Sequence, residues 1–146
     1  AGRWLGGTLT NFTEIKKRIK RMVELTTDRE AGTLAKKYTK RERVMIDREI
    51  DRLEENFAGL VSLEKLPDAL VVVDTRREAI PVHEARSLNI PVIGIMNSDC
   101  DLSVVPYPVI GNDASRESVK YFLDQIVAAY KEGLKGYVSK EPTKEA

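Results

Sequence analysis

Six oxygen-bearing side chains stand just after apolar runs: Asp74, Asn97, Asp99, Asp101, Asn112 and Asp113. If those runs are strands of one parallel sheet, their carboxyl ends bring the six to the crevice where such sheets bind ligands. Together they offer oxygen enough for Mg²⁺, and Asp74 would then act as a metal-activated nucleophile in phosphoryl transfer. That chemistry wants a second acid two residues on, and the chain has Arg76 there. Asp and Asn also end strands because their side chains hydrogen-bond the turning backbone, and Asp113 stands where it would cap a following helix. Cys100 would need a base to attack a substrate, and the single histidine, His83, lies seventeen residues earlier in a helical stretch. No Gly-x-Gly-x-x-Gly follows a strand and no Gly-x-x-x-x-Gly-Lys occurs, so neither backbone cradle for phosphate is encoded. One cysteine and one histidine also exclude an internal disulfide and a Cys/His zinc cage. The expectation is a protein with no catalytic residue, no cofactor and no metal.

The second chemistry is cationic. Net charge is only +1, but residues 1–43 hold 12 Lys/Arg against 5 Asp/Glu, net +7, and the remainder is net −6. Lys16, Lys17, Arg18, Lys20 and Arg21 crowd one helical stretch, with 16 and 20, and 17 and 21, four apart and so on one face. Lys36, Lys37, Lys40, Arg41 and Arg43 follow. Cations in such a strip suit phosphate contacts that position a protein on RNA without reading its sequence. The candidates for RNA contact are Arg3, Trp4, Lys16, Lys17, Lys20, Arg21, Lys36, Lys37, Lys40 and Arg41. The competing reading is a solvated helix exterior, since Glu14 and Arg18 form an ordinary helix ion pair. Trp4 either stacks on a base or plugs the root of the helices.

These residues need elements to hold them. Ile15, Ile19 and Met22, and then Ile46, Ile50, Leu53 and Phe57, repeat at helical heptad spacing. They predict an antiparallel coiled-coil hairpin about 25 Å long, with Phe12 near Phe57 and Met22 near Ile50. Thr39 and Glu42 form a capping box at the second arm. Ala69–Val73 is a continuous apolar run that predicts a strand covered on both faces. A helix from Pro81 to before Asn89, a strand at Pro91–Met96, a short strand at Tyr107–Ile110 and a helix from Ala114 to Gly133 follow. The last helix carries the stripe Val119, Phe122, Leu123, Ile126, Val127 and Tyr130. Strand, helix and strand in succession imply a right-handed parallel crossover. With 146 residues, 42% hydrophobic and 32% charged, the chain allows about one domain. It divides into a motif and hairpin (1–66), an α/β body (67–134) and a polar tail (135–146). Its longest apolar uncharged run, Ile90–Ser98, is too short for a membrane helix, and the opening residues lack a secretory signal.

Three motifs carry a resemblance. Arg3-Trp4-Leu5-Gly6-Gly7-Thr8-Leu9-Thr10-Asn11-Phe12 precedes the basic helix; Pro67 to Asp74 is followed by Glu78, Val82, Glu84 and Asn89-Ile90-Pro91; and Gly111-Asn112-Asp113 precedes the last helix. From Arg3 to about Gly133 the chain resembles the bacterial-type small-subunit ribosomal protein S2 family. The resemblance implies a structural constituent of the small ribosomal subunit, with a Rossmann-like (flavodoxin-like) parallel sheet and a projecting hairpin. It implies small-subunit rRNA and neighbouring ribosomal proteins, including S1, as partners, and a cytoplasmic place on the ribosome, bacterial or organellar. Neither a membrane nor a second copy of the chain is expected as a partner. The family's amino-terminal strands are missing here, so the sheet should be incomplete, with about three strands and an unpaired edge. The classes set against this reading are a Mg²⁺-dependent phosphotransfer enzyme using Asp74 and Asp99, and a coiled-coil adaptor.

Overall fold

The structure, a computed structural model, describes residues 4–138. Helices α1 (Phe12–Glu30), α2 (Leu34–Lys37) and α3 (Lys40–Phe57) come first. Strands β1 (Leu70–Val73), β2 (Val92–Met96) and β3 (Tyr107–Ile110) follow, with α4 (Ala79–Ser87) after β1 and α5 (Arg116–Val138) after β3. The strands form one parallel sheet in the order β1-β2-β3, with Leu70 opposite Val92 and Ile93 opposite Tyr107. This is the three-stranded α/β arrangement expected from the runs of β-branched residues.

The two faces of the sheet are covered unequally. On one, Val72, Val92 and Met96 pack with Val82 and Ala85 of α4, with Leu9 and with Val105. On the other, registered neighbours Val71, Ile93 and Tyr107 remain partly open, Val71 at 40% and Tyr107 at 59% exposure. The apolar run of β1 therefore does not lie between two complete layers, as the sequence suggested. The free side of β1 is also an open edge. Leu70 and Asp74 donate their amides to Pro91 and Ile95 of the β2 side, each at 2.9 Å. Alternate residues face the same neighbour, so the amides of Val71 and Val73 point the other way.

Helix ends follow local chemistry. Thr39 and Glu42 make the anticipated capping box: the Thr39 amide donates to Glu42 Oε2 at 2.8 Å and the Glu42 amide donates to Thr39 Oγ1 at 3.4 Å. Helix α4 stops because Asn89 takes a positive φ of 55°, which lets Ile90 donate to Ala85 O and Asn89 to Arg86 O. Asn tolerates that conformation better than other side-chain-bearing residues. At the start of α5 the expected cap is corrected. Among the described residues Asp113 accepts from no helix amide; Asn112 accepts from the amides of Ala114 and Ser115, at 3.0 and 3.1 Å, in a turn that ends where the helix begins. The helix begins at Arg116 and runs past Gly133 to Val138. Its apolar stripe splits: Val119, Phe122 and Ile126 are half-buried, while Leu123, Val127 and Tyr130 are exposed. A Cβ on Gly111 would overlap the Phe122 ring, so this glycine leaves the space in which α5 meets the end of β3.

The helical pair buries the face that the heptad spacing marks. Ile15, Ile19, Met22 and Leu25 of α1 bury with Ile50, Leu53 and Phe57 of α3, with Ile46 half-buried at the margin. Across the pair Arg21 donates to Glu49 at 3.2 Å and Thr26 to Glu54 at 3.4 Å. Arg29 reaches both Asp51 and Glu54. The two helices thus pack through one apolar cluster, flanked by these polar contacts. Spacing selects the buried face of each helix; the crossing angle comes from how side-chain ridges interlock, which spacing does not encode.

Candidate nucleic-acid interface

The segment before α1 is fixed by a buried carboxylate. Glu84 of α4, 5% exposed, accepts from the amides of Gly7 at 2.6 Å, Leu9 at 2.8 Å and Thr10 at 3.4 Å. Gly7 has φ +90°, a conformation that suits glycine and turns the chain so that its amide and that of Leu9 face one side chain. Thr8 and Leu9 are buried, Trp4 packs on the sheet cluster and Leu5 on the helical cluster. The Leu5–Asn11 stretch thus joins the sheet to the helix that bears the first cations. Sequence reasoning noted Glu84 and Gly6-Gly7 separately; nothing local signals that they meet.

The cations fall into two groups. All of Lys16, Lys17, Lys20 and Arg21 on α1 are exposed, and each has an intramolecular partner. Lys17 pairs with Glu14 at 2.6 Å, Lys20 with Glu24 at 3.8 Å and Arg21 with Glu49 at 3.2 Å. Lys16 Nζ donates to the Glu64 carbonyl and sits 5.4 Å from the centre of the Phe12 ring. Exposed pairs of this kind are weak, and a phosphate can displace the carboxylate. Around α2 and the start of α3, by contrast, Lys36, Lys37, Lys40 and Arg41 are exposed and, among the described residues, form no ion pair. Arg18 is likewise exposed and unpaired. Trp4 is half-buried beside β1, with an indole N–H that has no partner, and lines an apolar groove with Leu5, Leu60, Val71 and Pro81. It packs against the sheet cluster, with part of its surface on that groove. Arg3 lies outside the described residues.

The strand-end oxygens gather as the topology requires, but most serve the backbone. Asp74, at φ 59°, accepts from the Arg77 amide at 3.1 Å. Asp101 accepts from Ser103 through both amide and hydroxyl, which holds its carboxyl below the usual range. Asp99 pairs with Arg76 at 2.8 Å, and that bond lowers its pKa. Atoms of Asp74, Cys100 and Asp113 lie within 4.8 Å of one another. The residue at the position of a second acid, Arg76, neutralises Asp99, so the phosphotransfer arrangement is not assembled. Cys100 and His83 line one hollow, closer than their sequence positions suggested, but the thiol bonds to Asp99, at 3.7 Å.

Comparison with known proteins decides between the readings. A model of the family "Ribosomal protein S2" matches residues 1–133. The chain belongs to the ribosomal protein S2 family. The small ribosomal subunit protein uS2 of Fusobacterium nucleatum is 43% identical over 143 residues, covering 98% of this chain and 58% of that protein. Those of Mycobacteroides abscessus and Acidothermus cellulolyticus are 42% and 43% identical over 132 residues, covering 90% of this chain and 47% and 48% of theirs. The chain thus spans about half the length of the curated S2 relatives it matches. The matched span holds the Glu84 clasp, all the candidate cations and the whole sheet. Among the described residues, no helix is long and apolar enough to cross a membrane.

Proposed function

We propose that this S2-family chain is a structural, non-catalytic constituent of the small ribosomal subunit that binds rRNA electrostatically through its amino-terminal helices. The observation that carries this is the contrast within one family member: Lys36, Lys37, Lys40 and Arg41 are exposed and, among the described residues, form no ion pair, whereas at the strand ends Asp74, Asp99 and Asp101 are engaged by backbone, Ser103 and Arg76. Cations without internal partners are available to phosphates, and each contact releases counterions. Neighbouring small-subunit proteins, S1 among them, meet the more acidic body, and the chain acts as a single copy on the ribosome in the cytoplasm or an organelle. The functional division is between residues 1–66, which carry the basic arm, and residues 67–134, which carry the α/β body. The sheet is part of a larger Rossmann-like sheet; the open β1 edge and the greater length of the relatives support this.

The test is co-sedimentation with small subunits across a salt series. Replacing Lys16, Lys17, Lys20 and Arg21 by Gln, and separately Lys36, Lys37, Lys40 and Arg41, should flatten log K against log salt by roughly 0.7 to 0.9 per lost phosphate contact. An unchanged slope in both variants would remove the helices from the interface.

A further inference from the structure

Tyr38, between α2 and α3, is an exposed ring set among cations. Its side chain is 42% exposed and, among the described residues, makes no hydrogen bond or ring contact. With Arg41, Glu42, Met45 and Ile46 it lines a hollow of about 300 Å³. Met45 is itself 61% exposed, so apolar surface continues outward from the ring. The one acid at the hollow, Glu42, turns its Oε2 to the Thr39 amide and hydroxyl, at 2.8 Å each. Among the described residues the flanking Lys36, Lys37, Lys40 and Arg41 have no internal counter-charge, unlike Lys17, Lys20 and Arg21 of α1.

An open π-face, an apolar hollow and unneutralised cations within a few residues meet the needs of an unpaired nucleotide, whose base stacks while its phosphates are held. A duplex keeps its bases inside and would use only the cations. We propose that Tyr38 and the adjoining hollow stack an unpaired base of RNA, while Lys37, Lys40 and Arg41 hold the flanking phosphates. This rests on the RNA-binding reading above and specifies the form of RNA that the α2–α3 turn takes.

The test measures binding of the full chain to two fluorescent probes by anisotropy: a short RNA without self-complementarity, and an RNA duplex of equal length. Tyr38→Ala should weaken the unpaired probe by about 5- to 150-fold, the range of one base–aromatic stack, and leave duplex affinity and the salt slope unchanged. Tyr38→Phe should keep the unpaired-probe affinity, and both variants should melt like the parent. Lys40→Gln with Arg41→Gln should weaken both probes and reduce the slope. Equal loss on both probes in Tyr38→Ala, or no loss on the unpaired one, would overturn the stacking role. Failure of the parent chain to bind either probe would instead overturn the RNA-binding reading itself.

Discussion

Glu84 shows how one side chain can decide the placement of many. Its two oxygens hold three backbone amides from the segment before α1, and the bond to Leu9 is fully buried. Glu84→Ala should lower stability by about 3 kcal/mol, because hydrogen bonds to a charged group contribute roughly 1.5 to 3 each and the orphaned amides remain buried. Glu84→Gln should cost less, and urea melts of the pair check the order. Other acids act by exposure to the backbone or to a cation. The Thr39 amide and hydroxyl hold Glu42 below the usual carboxylate range, and Arg76 does the same for Asp99. A carboxylate whose pKa falls on folding stabilises above its unfolded value and loses that stabilisation as pH drops through the folded one. The Thr39 amide shift, followed by NMR, should therefore titrate with a midpoint below the roughly 4.3 of a free glutamate.

At the scale of elements, local signals were legible and long-range ones were not. Thr39 and Glu42 marked the start of α3, and Asn89 marked the end of α4, because a cap is written within a few residues. The three strands stood out as β-branched runs, and the seam residues other than Ile46 are buried. The Asn112 turn ahead of α5 and the split stripe of that helix depended on tertiary geometry. So did the candidate site: its cations could be counted in the sequence, but which of them have carboxylate partners could not, since Arg21 and Glu49 are 28 residues apart. The open strand gives a test at this scale. In hydrogen exchange, the amides of Leu70, Val72 and Asp74 should be protected and those of Val71 and Val73 should exchange faster; uniform protection along β1 would mean that its edge is already paired.

For the whole molecule, charge and packing are divided differently. The basic residues concentrate before position 44 and the acidic excess follows, yet two apolar clusters meet through the segment that Glu84 holds. A chain with two separate clusters could melt in two steps, the helical pair and the sheet each at its own temperature. The carboxylate clasp links their fates, since either cluster that opens must free the same three amides. Calorimetry of the parent should give one cooperative transition, and Glu84→Ala should split or broaden it beyond a uniform shift; a single sharp peak at lower temperature would mean the clusters are coupled elsewhere. The clasp then has a mechanical meaning. Load applied to the helices, as when many phosphates seize their cations at once, passes into the sheet through the clasped segment, so the sheet serves as anchor and Glu84, with the buried Leu9, as the rivet.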